Sequence, residues 1–224
     1  MNSVPNTYGQ MLRFFFSGSS PLSMVLVVVA TFVLKVFFFN WSWSDLEFLV
    51  FMVSFWAIIE WLSHSLLLHA NPLPWLNTGF KKKMSEEHAV HHQRPYDFSI
   101  ILISCKGAIA TALLVFLVVY FVSGSLDLAL GITLIHTTYS MILEASHLVF
   151  HGDITHKTAF IKNLVCLHGC RHQCDLDSSF GVTSSLRDRI FGTYSTLDNK
   201  ESWFGRQDFL CEGFRARSGA STAC

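Results

Sequence analysis

LDLALGITLIHTTYSMILEASHLVF, residues 126–150, followed directly by His151, decides the fold. An α-helix rises about 1.5 Å per residue, so roughly 20 residues cross about 30 Å of hydrocarbon. This run is long enough, and only Asp127 and Glu144 in it are charged. It reads as a membrane-spanning helix that ends in the pair H-L-V-F-H, His147 and His151. Residues four apart share a helical face, so the helix delivers two imidazoles side by side at its end.

Three more apolar runs resemble it, at about 22–40, 46–68 and 98–122. The whole chain of 224 residues is 51% hydrophobic and 14% charged, with 21 Phe. Soluble domains carry about 25% charged residues, so this chain lacks the charge to cover a water-facing surface. The expected class is all-α and integral to a membrane: four transmembrane helices in two hairpins, with a cytosolic histidine-rich helical cap. Sixteen Lys and Arg balance sixteen Asp and Glu. That balance gives no basic field for a nucleic acid.

Neither short hairpin loop, Trp41 to Asp45 or Ser123 to Asp127, contains Lys or Arg. Arg13, Lys81, Lys82, Lys83 and Arg94 flank the opposite ends, so the positive-inside rule places both termini and the central loop in the cytosol. The membrane would be the endoplasmic reticulum in a eukaryote or the inner membrane in a bacterium. Phe37, Phe38, Phe39, Trp41 and Trp43 read as an aromatic belt at the far interface, with Lys35 snorkelling outward. A cleaved signal peptide is the competing reading of the first run, but no small-residue cleavage site follows it. Three regions result: a cytosolic segment 1–21, a membrane domain 22–194, and a tail 195–224 expected to be partly disordered. A stretch from about Thr158 to His172 suits an interfacial helix. The six Cys have no disulfide-framework spacing, and five fall in segments expected in the cytosol, which argues against structural disulfides.

Nine of the 11 His form four groups. These are H-S-L-L-L-H (His64, His69), H-A-V-H-H (His88, His91, His92), H-L-V-F-H (His147, His151) and H-G-C-R-H (His168, His172). The two halves repeat: a hairpin whose second helix ends in a His pair, then a polar segment with another cluster. On helices the trio His88, His91, His92 and the pair His147, His151 converge. His64 and His69 differ by about 140 degrees at 3.6 residues per turn, so they either flank a site or the helix loosens there. Imidazole suits iron, zinc or copper. Nine imidazoles exceed one ion's needs, and two metals fit better.

His136 shares one face, within about 80 degrees, with Ser140, Glu144, His147 and His151, which makes it a candidate to border a substrate cavity. Glu60 and Glu144 precede the two helix-end pairs by similar distances. Each is a candidate acceptor that fixes a ligand imidazole's tautomer, against an interhelical hydrogen bond as the alternative. His156 reads as an ordinary hydrogen-bonded residue. Cys166, Cys170 and Cys174 interleave with His168 and His172, so a local zinc site is an alternative there, although a helix would separate the Cys from the His.

The ordered series H-x4-H, H-x2-H-H, H-x3-H and a last cluster, with F-G-V-T-S-S-L-R-D-R-I-F-G-T (Phe180 to Thr193) behind it, resembles the fatty acid hydroxylase superfamily. These are integral membrane di-iron oxygenases related to sterol desaturases. The resemblance covers Trp61 to Tyr194, and the H-x4-H opening with an H-x3-H third box is most like the fatty acid 2-hydroxylases. It implies O2-dependent hydroxylation of a lipid acyl chain, of a fatty acid or sphingolipid and at C2 in the 2-hydroxylases. The reaction would use two Fe ions held by the nine His, with Zn as a substitute in purified protein. It also implies a lipid substrate in the bilayer and a separate electron donor, a cytochrome or ferredoxin with its reductase, since no haem, flavin or iron-sulfur motif is visible. Asp188 of the closing signature is a further candidate to hold a ligand His. Sterol or carotenoid hydroxylation or desaturation is the alternative within the superfamily.

Two positions depart from the family pattern. Arg171 stands where the last H-x2-H-H box has a His, and a guanidinium has no lone pair for a metal. Arg187 stands where the closing signature usually has Trp. The first departure leaves a lipid-binding pseudoenzyme as a rival, and the His richness leaves a zinc transporter as another.

Overall fold

The computed structural model describes residues 5–39, 41, 43–69, 79–154, 156, 158–173, 180–182 and 186–193, leaving aside the side chains of Leu67, Phe80, Lys81, Asn163, Cys166, Leu167, Cys170, Arg171 and Gln173. Among them every regular element is helical: α1 (Tyr8–Ser17), α2 (Ser19–Phe38), α3 (Trp43–Leu62) continued by a π-helix (Ser63–His69), α4 (Gly79–Gln93), α5 (Cys105–Ser123), α6 (Leu126–Phe150), α7 (Ala159–Gln173) and α8 (Leu186–Phe191). The tail after Thr193 lies outside the described residues.

Among the described residues four helices are long and apolar enough to cross a membrane: Ser19–Phe38, Trp43–Leu66, Cys105–Ser123 and Leu126–Phe150. Only 17–33% of each span is buried inside the protein, too little for core helices of a water-soluble fold. Side chains such as Leu26, Phe121 and Val122 point outward. A lipid solvent makes such exposure favourable, and helices satisfy their own backbone where no water can.

The chain divides into two compact units. One contains residues 12–56 and 102–145, and the other contains residues 1–11, 57–101 and 146–224. The first is the membrane unit: α2, most of α3, α5 and most of α6. Its third span starts later than the sequence suggests. Asp97 accepts from both the amide and the hydroxyl of Ser99, a local turn that competes with helix. Those bonds, the hydroxyl's first, also hold the Asp97 carboxyl below its ordinary range. The helix begins only after Ser104, whose Oγ caps it by accepting from the Gly107 amide. Gly124 then closes α5 at φ 67°, with its amide on the Tyr120 carbonyl, a left-handed stop that favours glycine.

The membrane unit also corrects the expectation for Lys35. It does not snorkel: its side chain is fully buried, with Nζ 2.7 Å from Asp45 and 2.5 Å from Asp127, and 5.5 Å from the centre of the Trp41 ring. Each charge stands where a helix dipole favours it, Lys35 in the last turn of α2 and the two Asp in the first turns of α3 and α6. A lone ammonium there would be costly, whereas carboxylates from two other helices compensate it and tie the three ends together. Gly131 permits this approach, because a Cβ there would meet Asp45 Oδ1 at 2.8 Å. Of the residues read as an aromatic belt, Phe37, Phe38, Trp41 and Trp43 are exposed and Phe39 is partly so.

The second unit gathers the ends of α3 and α6 with α4, α7, α8 and the N-terminal residues. Within segment 1–21, Tyr8 Oη lies 2.9 Å from His156 Nδ1, the Asp153 amide donates to the Pro5 carbonyl, and Met11 is buried. The expected helix near 158–172 is α7. On α4 the exposed pairs Lys82–Glu86 and Lys83–Glu87 stand 3.9 Å apart. Such surface pairs contribute a few tenths of a kcal/mol at most; they mark the solvated face, opposite the one that carries His88 and His92.

Candidate metal centre

The π-helix settles the geometry of the first His pair. Hydrogen bonds in an α-helix close at i, i+4, but in a π-helix they close at i, i+5, which stacks residue 69 over residue 64. His64 Nε2 and His69 Nε2 are accordingly 3.1 Å apart. Helix α4 adds His88, whose Nε2 lies 3.1 Å from that of His64 and 3.0 Å from that of His69. His92 follows one turn later, 2.9 Å from His88. These four form one group.

The second group contains five: His147 and His151 from the end of α6, His168 and His172 from α7, and His91 from α4. The Nε2 separations are 3.2 Å for His147–His151, 2.7 Å for His151–His168 and 3.1 Å for His168–His172. The His91 ring faces His147, His151 and His172 at 4.7–4.9 Å between centroids. Thus His91, one residue from His92 in sequence, belongs to the other group. The groups adjoin, with the His92 and His172 rings tilted by 32° at 4.2 Å between centroids. All nine expected ligand residues lie in these two groups, and His136 and His156 in neither.

These short contacts do not make a satisfied hydrogen-bond network. A neutral imidazole nitrogen either donates or accepts. In the triangle of Nε2 atoms from His64, His69 and His88, two of the three must therefore present the same role to each other. A cation among them removes the conflict, because every nitrogen then directs a lone pair inward. The spacing agrees: nitrogens about 2.1 Å from one ion at right angles stand about 3.0 Å apart, or about 3.4 Å if tetrahedral. Burial, and after it the neighbouring imidazoles, depress the His172 pKa well below its ordinary value. The neutral form this favours is the one that ligates. The residues fit two metal ions.

Each of the three candidate carboxylates accepts from a backbone amide. Asp188, 1% exposed, accepts from the amides of Phe180 (2.7 Å) and Gly181 (2.9 Å) and from Thr193 Oγ1 (2.9 Å). The expected imidazole partner is replaced by a tie that folds the closing signature on itself. Glu60 accepts from the amide of Val182, which joins α3 to the same segment. Glu144 accepts from the Ile103 amide at 2.9 Å, a bond from α6 to the segment just before α5. His136 sits edge-on to Trp56, 6.3 Å between centroids, and does not line the apolar cavity described below.

Sequence reasoning missed Phe180 and Trp61 as parts of the site. The Phe180 ring packs against His69 at 5.4 Å and His64 at 6.0 Å. Trp61 stacks on Phe191 at 4.4 Å and donates Nε1–H to Thr193 Oγ1 at 3.0 Å. For Phe180 the available signal was its place at the head of the closing signature, Phe180 to Thr193; for Trp61 the sequence offered none. The Cys-based zinc alternative lies outside the described residues on its cysteine side, while His168 and His172 join the five-membered group.

A cavity of about 580 Å3 in the membrane unit is lined only by apolar atoms and Thr side chains of α2, α5 and α6, among them Val27, Leu34, Ile109, Phe116 and Thr133.

Comparison with protein families finds one described as fatty acid hydroxylase, whose model matches residues 48–193, well over half of the chain. No curated protein and no solved structure matches the chain.

Proposed function

Because this chain belongs to the fatty acid hydroxylase family, we propose that it hydroxylates a lipid acyl chain with O2, using two irons held by the nine grouped His. The two imidazole groups carry this reading. Iron bound there supplies the reduction of O2 and the oxidation of an unactivated C–H bond. One oxygen atom enters the product. The other leaves as water with two electrons and two protons, which a separate cytochrome or ferredoxin with its reductase provides. The protein residues fix ligand geometry: the π-helix, α4, α6 and α7 hold the imidazoles, and Asp188, Glu60, Trp61 and Phe180 hold the closing segment against the four-His group.

The substrate is a fatty acid or a sphingolipid acyl chain, hydroxylated at C2. The apolar cavity in the membrane unit suits such a chain. Both termini face the cytosol, in the endoplasmic reticulum or a bacterial inner membrane. The zinc-transporter alternative fits less well, since transport sites lie near the bilayer midplane and both groups here use helix ends and polar segments. Purified protein loaded with Fe(II), supplied with reductant, lipid and 18O2, should give hydroxylated product carrying one labelled oxygen. Iron-loaded protein with no labelled product would leave the pseudoenzyme.

A further inference from the structure

The two His clusters on α4 and α7 share one register. His88, His91 and His92 stand at i, i+3 and i+4 of α4; His168, Arg171 and His172 stand at i, i+3 and i+4 of α7. Within the α4 cluster the members part company. His88 and His92 join the imidazoles of their own half, whereas His91 joins the group formed by α6 and α7. The middle position of the first cluster therefore serves the metal group of the second half. By the same register, the middle position of the second cluster is the one that serves the group of the first half, and that position is Arg171. The asymmetry appears in the groups themselves: among the described residues, five imidazoles converge on one side and four on the other.

We propose that Arg171 removes a ligand from the His64–His69–His88–His92 site, across from its own cluster, and so makes the two metal sites unequal. Reading along the chain would assign the deficit to the half that contains Arg171. The crossing of His91 assigns it to the other half. A guanidinium stays protonated and offers no lone pair, so position 171 gives neither ligation nor charge neutralisation. The five-imidazole site is then the tight one. The four-imidazole site binds its ion more weakly and keeps a coordination position for water or an added ligand.

This inference rests on the proposed metal centre, and a titration separates the two. Metal-stripped full-length protein in detergent or nanodiscs is titrated with Co(II), whose visible spectrum reports ligation, with no turnover required. Two steps are expected, separated by about tenfold or more, on the scale that altering a metal's ligand environment changes affinity. His64→Ala should abolish the weaker step and His147→Ala the tighter one. Arg171→His should strengthen the weaker step by about tenfold or more and narrow the gap, while Arg171→Leu, which removes charge but adds no ligand, should change it by much less. Two steps of equal affinity in the unaltered protein would overturn the inequality and leave the metal centre standing. Strengthening of the step that His147→Ala removes, or an equal gain from Arg171→Leu, would overturn the assignment of Arg171. Absence of any Co(II) uptake would overturn the metal centre as well.

Discussion

The protein buries two kinds of polar cluster, and they differ in whether they satisfy themselves. In the membrane unit Lys35 meets Asp45 and Asp127 at 2.7 and 2.5 Å; the charges compensate within the protein and the helix dipoles assist. In the other unit nine imidazoles crowd at comparable distances in two groups that could each hold a metal ion, and the Nε2 atoms of His64, His69 and His88 cannot all alternate as donor and acceptor toward one another. The first cluster neutralises itself. A cation would resolve the conflict in the second. Burial and short contacts are thus not evidence of a functional site by themselves; unsatisfied chemistry is.

The largest effect should come from the second cluster. His88→Ala or His151→Ala should reduce hydroxylation more than the roughly 100-fold that loss of an outer partner costs, and should lower metal per chain by mass spectrometry. Full metal content in both variants would refute the two-metal reading. The first cluster should answer in stability: Lys35→Met leaves the buried Asp45 carboxylate facing the half-exposed Asp127 carboxylate and should cost on the order of 3 kcal/mol in detergent unfolding. Replacing all three, with Lys35→Met, Asp45→Leu and Asp127→Leu, should recover most of that loss. A triple variant as unstable as the single one would mean that the triad does more than neutralise itself.

Metal removal sharpens the contrast further. Ligand at a hundred times its Kd stabilises by about 2.7 kcal/mol, so chelation should lower the thermal midpoint of the native protein and leave that of a His88→Ala, His151→Ala double variant nearly unmoved. The smallest effect should be at Glu144. Gln keeps an oxygen for the Ile103 amide, so Glu144→Gln should cost less than about 1 kcal/mol. Its metal stoichiometry should be native, and a drop would restore Glu144 to the metal centre.

Much of this was legible in sequence because it depended on local pattern. Residues 126–150 form α6 with the expected ends, since length and hydropathy alone define a span. The nine His could be picked out because imidazoles at helical spacing are rare on apolar helices. What could not be read was long-range. Lys35 looked like a snorkelling residue because Asp127, 92 positions away, belongs to another hairpin. Asp188 and Glu144 looked like partners of imidazole because the amides they accept from, those of Phe180, Gly181 and Ile103, carry no mark in sequence. His91 looked like a ligand of its own half, because chain order does not tell which of two neighbouring ions a residue faces.

The π-helix between Ser63 and His69 has a consequence for how such sequences are sorted. A turn that closes at i+5 holds one residue more than an α-turn, so it acts as an insertion the helix has absorbed without moving its ends. H-x4-H on a π-turn and H-x3-H on an α-turn then present the same two imidazoles to the same ion. Deleting one residue from Ser65–Leu68 should return the helix to ordinary pitch with the metal pair intact. A one-residue difference in the spacing of such a box can therefore be absorbed by the helix without moving the imidazoles it presents.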